Sequence, residues 1–307
     1  MLSTAVPTIQ NLDREGWTAQ SEPMIPRRTS PASPVPACHP ALRAMLAQPY
    51  AAVMGILNLT PDSFSDGGSF VLPEIAISHA RRMIADGADI IDIGAESTRP
   101  YGSAPISADE EIRRLAPVLK DVVALGTPVS IDSMKARVVD WALAQGVAIA
   151  NDIWGLHRDP EMARVVADHG APVVVMHNRD SVAPDIDIMQ DIAAFFERSL
   201  EIASRAGIRA ENLVLDPGIG FGKTPQQSMI ALARLEELHR FGLPVLVGAS
   251  RKKFISTVTP SEPQQRIGGS IAAHLLAAQR GAHVIRAHDV AETVQALRVA
   301  SAIEDQQ

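Results

Sequence analysis

From residue 50 onward, hydrophobic positions in this chain follow two alternating rhythms. Short, nearly unbroken apolar runs occur at Ala52–Leu57, Ile90–Ile93, Val129–Ile131, Ala148–Ala150, Val173–Met176, Leu213–Leu215, Val245–Val247 and Val284–Ile285. Runs of this length, rich in Val and Ile, predict strands buried on both faces. Between them, apolar positions recur at helical spacing over Pro73–Asp86, Ala108–Ala124, Lys135–Gln145, Glu161–His169, Ile188–Ala206, Thr224–Leu238, Ile267–Arg280 and Val290–Ile303. Gly87, Gly126, Gly146, Gly170, Gly207, Gly242 and Gly281 follow these stretches, as helix-ending glycines do. Such alternation predicts parallel strands joined by right-handed helical crossovers. Eight strand–helix units in about 250 residues match an α/β fold, the (βα)8 TIM barrel. An open, doubly wound sheet is the competing arrangement.

A barrel places its chemistry at the C-terminal ends of its strands. In this chain those ends are polar. The first strand ends in Asn58, and the second runs into Glu96-Ser97-Thr98-Arg99-Pro100. The third and fourth end in Asp132-Ser133 and Asn151-Asp152, the fifth in Met176-His177-Asn178. The sixth runs from Asp216 to Lys223, the seventh through Gly248 to Lys252, and the eighth ends in Arg286-Ala287-His288-Asp289. The strand beginnings carry no comparable set. The loop after the first strand is the densest, with Asn58, Thr60, Asp62, Ser63, Ser65 and Asp66 around a single aromatic, Phe64. Gly218–Thr224 approaches a phosphate-binding glycine loop. Pro217 stands where that motif needs its first glycine, so nucleotide binding is not expected.

Composition narrows the classes. The 307 residues are 46% hydrophobic, enough for a large core, and no apolar run approaches the ~20 residues that span a bilayer. A net charge of −7 argues against nucleic acid as a partner, and no membrane partner is expected. One cysteine, Cys38, precludes an internal disulfide and suits a cytoplasmic setting. Residues 1–47 are read as a separate Pro/Ser-rich extension without periodicity, expected to be disordered, with the folded domain over residues 48–307. The extension has no apolar signal segment, and Asp13, Glu15 and Glu22 argue against a transit peptide.

Four motifs occur in order: Asn-Leu-Thr-Pro-Asp-Ser-Phe-Ser-Asp-Gly-Gly from Asn58, Glu-Ser-Thr-Arg-Pro from Glu96, Asp-Pro-Gly-Ile-Gly-Phe-Gly-Lys from Asp216, and Ser-Arg-Lys from Ser250. Together they resemble the dihydropteroate synthases, pterin-binding barrel enzymes of folate biosynthesis, over residues 50–303. The resemblance implies a transferase that joins 6-hydroxymethyl-7,8-dihydropterin diphosphate to p-aminobenzoate, releasing pyrophosphate and 7,8-dihydropteroate, and that is a sulfonamide target. It implies a pterin pocket of Asp132, Asn151, Met176, Asp216 and Lys252, whose donors and acceptors suit the ring edge. It assigns Asn58, Thr98, Arg286 and His288 to the diphosphate, with Mg2+ held by Asn58 as the one protein ligand, since Mg2+ favours oxygen and keeps waters. Phe64, Arg99, Pro100, Phe221 and Lys253 would hold p-aminobenzoate. Asp132, Lys252 and Asp62 would be catalytic, the carboxylates stabilising a cation at the pterin methylene. A homodimer through the later helices is also implied.

The chain departs from the family pattern at Tyr101, inserted between Pro100 and Gly102, and at Lys253, where relatives carry a small hydroxyl residue. The insertion is expected to alter inhibitor discrimination. Two alternatives stand beside the synthase: a methyltetrahydrofolate:corrinoid methyltransferase, which would not need Asn58, Arg286 or His288, and a non-catalytic pterin-binding paralogue. His177 is read as structural.

Overall fold

The computed structural model describes residues 39–59, 71–96 and 105–306. Asp62, Phe64, Thr98, Arg99, Pro100 and Tyr101, together with residues 1–38, lie outside them.

Eight strands form one sheet: β1 (Ala52–Asn58), β2 (Ile90–Gly94), β3 (Val129–Asp132), β4 (Ile149–Asp152), β5 (Val173–Met176), β6 (Leu213–Asp216), β7 (Leu246–Val247) and β8 (Val284–Ala287). The order is β6-β5-β4-β3-β2-β1-β8-β7, with every pairing parallel. The seam between β6 and β7 is closed by a parallel bridge from Leu215 to Val245, and the Leu215 N–H donates to Pro244 O at 2.9 Å. The sheet is therefore a barrel, and the open-sheet alternative is excluded.

The helices are α1 (Pro40–Leu46), α2 (Val71–Ala85), α3 (Ala108–Val123), α4 (Ala136–Ala144), α5 (Met162–His169), α6 (Ile188–Ala206), α7 (Pro225–Ala233), α8 (Lys253–Val258), α9 (Ile267–Gln279) and α10 (Val290–Glu304). Local chemistry sets several boundaries. Ser107 caps α3 by accepting from Glu110 N, and Asp187 caps α6 by accepting from Met189 N and Gln190 N. Thr224 and Gln227 form a capping box that starts α7 behind Pro225. The expected helix from Thr224 to Leu238 breaks at Arg234, and a 3-10 turn over Leu235–Phe241 replaces its second half. Among the described residues no helix is long and apolar enough to cross a membrane.

Alternation along the strands sorts the core into two layers. Outward residues such as Val53, Leu57, Ile91, Ile93, Ile131, Val175 and Leu215 pack under the helices. Inward residues Ala52, Met54, Ile90, Ile149, Val174, Val214, Leu246 and Val284 fill the barrel's lower interior. Ala41 and Leu42 of α1 join that inner cluster, with Leu42 1% exposed. The His39 N–H donates to Asn212 Oδ1 at 3.2 Å, tying the segment ahead of α1 to the turn before β6. A stretch expected to belong to the disordered extension is thus a helix that plugs the barrel floor. Seven residues are too few to register as a periodic pattern, and the Pro-rich context hides them.

Candidate active site

The same alternation builds the site. Two residues beyond each inward floor residue the next inward position faces the barrel mouth, and there the side chains change character. Ile90 is followed by Asp92, Ser130 by Asp132, Ile149 by Asn151, Val174 by Met176, Val214 by Asp216, Leu246 by Gly248 and Val284 by Arg286. A cleft at this level is lined by Asp132, Asn151, Ile153, Met176, Asp216, Ile219, Phe221, Gly248, Lys252 and Arg286. All five residues expected to hold a pterin are in that lining, together with Phe221.

A guanidinium lies under the cleft. Arg286 donates through Nε to Asp92 Oδ2 at 2.6 Å and through Nη2 to Asp132 Oδ2 at 2.8 Å. Asn151 Nδ2 donates to the same Asp92 oxygen at 3.1 Å. Arg286 is expected from the sequence to face the diphosphate. In the structure its first partners are two buried carboxylates, because a charge this deep requires compensation. The second oxygen of Asp132 is buried without a partner. At the cleft lining, this oxygen is an acceptor open to a donor on a ligand. Burial raises the Asp132 carboxyl to about 7, with Arg286 pulling it down and Asp92 and Glu111 pushing it up. Asp216 accepts from Gly218 N at 2.7 Å through Oδ1; burial raises its pKa, and that backbone bond opposes the rise. Lys252 lies with Nζ 4.1 Å from the centre of the Phe221 ring. Burial and the nearby Arg286 lower its ammonium to about 8, against the pull of Asp216 and Asp132.

The loop after β6 explains its own glycines. Gly218 has φ +66°, and a Cβ there would sit 1.9 Å from His177 O. Gly222 has φ +55°, and its Cβ would meet Arg179 Cβ at 2.4 Å. The loop can thus lie flat against the end of β5. Lys223 then turns inward. Its Nζ donates to Gly218 O at 2.9 Å and Phe221 O at 3.2 Å, and meets His177 Nδ1 at 2.6 Å. His177 Nε2 faces Asp191 Oδ2 at 2.9 Å. Burial and Lys223 lower the imidazole to about 3, so it is neutral, with Nδ1 as acceptor and Nε2–H as donor. The lysine of a nucleotide-binding glycine loop reaches out to phosphate, whereas this one ties down its own loop. His177 is structural, as expected.

At the rim, Asn58 ends β1 half-exposed, and its side chain has no hydrogen-bond partner among the described residues. His288 packs on Ser250. Lys253, expected to contact p-aminobenzoate, opens α8 with an exposed side chain outside the cleft lining. Among the described residues no group of three or more His, Cys, Asp or Glu could hold a metal. The Asn58 amide oxygen, without a partner among the described residues, is of the donor type that a hard cation such as Mg2+ takes.

Two groups of residues escaped the sequence reading. Asp92 sits inside the apolar run Ile-Ile-Asp-Ile, and counting inward positions from Ile90 would have found it. Lys135 pairs with Glu96 and with Glu111 Oε2, the latter at 2.7 Å, while Glu96 Oε1 accepts from Ile106 N at 3.2 Å. This ion triad braces both stems of the segment between β2 and α3.

Comparison with known proteins agrees with this geometry. A family model described as pterin binding enzyme matches residues 54–288. The dihydropteroate synthase of Bacillus subtilis is 44% identical over 252 residues, covering 82% of this chain and 88% of that protein. The crystal structure of the dihydropteroate synthase from Clostridium difficile with pteroic acid superposes with a TM-score of 0.80 at 48% identity, covering 83% of this chain and 97% of that one. The Xanthomonas albilineans dihydropteroate synthase with 4-aminobenzoic acid gives 0.80 at 44% identity, covering 83% and 93%. The chain belongs to the dihydropteroate synthase family of pterin-binding enzymes.

Proposed function

We propose that this protein is a dihydropteroate synthase, a transferase that condenses 6-hydroxymethyl-7,8-dihydropterin diphosphate with p-aminobenzoate to give 7,8-dihydropteroate and pyrophosphate. The observation that carries the reading is the convergence of Asp132, Asn151 and Asp216, from three strands, on one cleft shared with Lys252 and Arg286. These supply acceptors and donors for a flat heterocycle with a guanine-like edge. Met176 offers an apolar surface for the ring face, and Phe221, beside Lys252, offers one for p-aminobenzoate.

The reaction follows a dissociative course. The C–O bond from the pterin methylene to the diphosphate breaks, and its electron pair leaves with pyrophosphate. The cation left behind is delocalised into the ring, with the carboxylate of Asp132 below it. The neutral aniline nitrogen then forms the new C–N bond and sheds its proton, so no strong base is required. His288 and the free guanidinium edge of Arg286 hold the leaving anion, with Asn58 as the protein ligand for Mg2+. When bound, Mg2+ neutralises charge on the diphosphate. Asp62, Thr98, Arg99, Phe64 and Pro100 complete this reading from the flanking loops, and Lys253 contributes its backbone N–H at the p-aminobenzoate end. We infer a homodimer working in the cytoplasm: Leu276, Val299 and Ile303 expose an apolar face on α9 and α10, and the single Cys38 suits a reducing compartment.

Incubating the protein with dihydropterin diphosphate, Mg2+ and p-aminobenzoate tests the proposal. Pyrophosphate release that requires p-aminobenzoate, and is inhibited competitively by a sulfonamide, is the expected result. Pterin binding with no release would leave a binding paralogue. The methyltransferase alternative is disfavoured by Asn58, Arg286 and His288 around a site with no need for them in that chemistry.

A further inference from the structure

The hydrogen bonding of Ser250 goes beyond the assignment of His288 to the leaving group. Ser250 is buried, 3% exposed, between β7 and α8. Its Oγ accepts from the backbone N–H of His288 at 3.2 Å and lies 3.0 Å from His288 Nδ1. A hydroxyl that already accepts has one proton to place. Among the described residues, Nδ1 is the one acceptor beside it. If Nδ1 carried a hydrogen instead, the buried Ser250 proton would have nowhere to go. His288 Nε2 has no partner among the described residues, and it is absent from the buried atoms left without one.

The serine is held in place by its neighbours. Arg251 adopts φ 56°, an unusual backbone for a side chain of this size. It is pinned there by Ser270 Oγ, which accepts from Arg251 N at 2.9 Å, and by Arg266 Nη1, which donates to Arg251 O at 3.0 Å. The Arg251 side chain grips Asp289 through Nε to Oδ2 at 3.0 Å and Nη2 to Oδ1 at 2.5 Å. The strand-end segments around Ser250 and His288 are therefore held together by the β7–β8 pairing before the hydroxyl–imidazole contact and by the Arg251–Asp289 pair after it.

We propose that Ser250 is a positioning residue that fixes the tautomer of His288, donating to Nδ1 so that Nε2 carries the hydrogen and points a neutral donor at the departing diphosphate. The kinetic part of this inference rests on the reading of His288 as a diphosphate ligand. The tautomer does not.

The test uses the full chain. Histidine 15N spectra of the ligand-free protein should show Nδ1 of His288 unprotonated and Nε2 protonated, with Ser250→Ala shifting population to the other tautomer. A hydrogen on Nδ1 in the unmodified protein would overturn the proposal. In pyrophosphate release, Ser250→Ala should lower kcat about tenfold, with the KM for p-aminobenzoate unchanged and Ser250→Thr restoring the rate. In a His288→Ala background, Ser250→Ala should add less than about twofold. Full additivity overturns the positioning role, as does a loss of pterin affinity in Ser250→Ala by calorimetry, which would mark general collapse of the site. A normal rate in His288→Ala removes the diphosphate reading and the kinetic part with it, while the spectra still decide the tautomer.

Discussion

Asp132 and Lys252 have had their ordinary pKa values drawn towards neutrality from opposite sides. Burial raises the first to about 7 and lowers the second to about 8, so the pair is ionised together only in a narrow window. Below about 7 the carboxylate takes up a proton, and its open oxygen becomes a poorer acceptor for a ring donor. Above about 8 the ammonium loses its proton and no longer donates. Pterin affinity, measured by calorimetry across pH, should therefore form a bell with limbs near these two values. A flat profile over the same range would show that neither group contacts the ring. The raised carboxyl also binds a proton more tightly in the folded chain than in the unfolded one. Its contribution to stability thus falls as pH rises through about 7. Asp92 makes a second prediction. It bears the Arg286 guanidinium at 2.6 Å and is fully buried. Asp92→Ala removes one of two counter-charges and should cost about 3 kcal/mol in urea unfolding, because what remains is a buried cation with one partner. A loss under about 0.5 kcal/mol, the usual scatter of surface changes, would show that Asp132 compensates alone. Asp132, Asn151 and Asp216 were legible in the sequence because a polar residue at the end of an apolar run stands out, and Lys252 through the Ser-Arg-Lys motif that carries the resemblance. Asp92 was not, because within the run it reads as noise until the inward parity is known.

At the scale of elements, α1 changes what a truncation should do. Its Leu42 packs into the inner cluster with Met54, Ile90 and Val284, closing the barrel opposite the cleft. Removal of residues 1–38 should leave thermal stability and turnover unchanged. Removal through residue 46 should expose the floor, and Leu42→Ala alone should cost about 2–5 kcal/mol, the range for a buried leucine. Equal melting temperatures for the two truncations would show that the helix is dispensable. The other elements were legible to within a residue or two, since an eightfold strand–helix alternation leaves few topologies. The misses share one cause. α1 and α8 are short, and the break at Arg234 depends on local backbone geometry, and none of these leaves a periodic trace in the sequence.

At the scale of the whole molecule, the exposed apolar side chains are unevenly spread over the described residues. Of the six large apolar side chains exposed among the described residues, four lie on the last three helices: Val258 (69%), Leu276 (47%), Val299 (54%) and Ile303 (62%). Val299 and Ile303 are one turn apart on α10, which packs beside α9, the helix that carries Leu276. Exposed apolar side chains on neighbouring helices of a chain of net charge −7 are an interface or a liability, and like charge would otherwise keep such copies apart. A stable dimer needs about 800 Å² from each partner, an area that two neighbouring helices can supply. The face lies on the outside of the barrel, while the cleft opens at the strand ends, so association and chemistry should be separable. Light scattering of the full chain is expected to give twice the monomer mass. Leu276→Glu combined with Val299→Glu should halve that mass and leave pterin affinity intact, because neither residue lines the cleft. A monomeric parent protein would defeat the dimer outright. A mutant that stays dimeric would move the interface elsewhere on the barrel wall. If affinity were lost together with the partner, the site would depend on the second subunit in a way that the self-contained cleft of one chain does not predict.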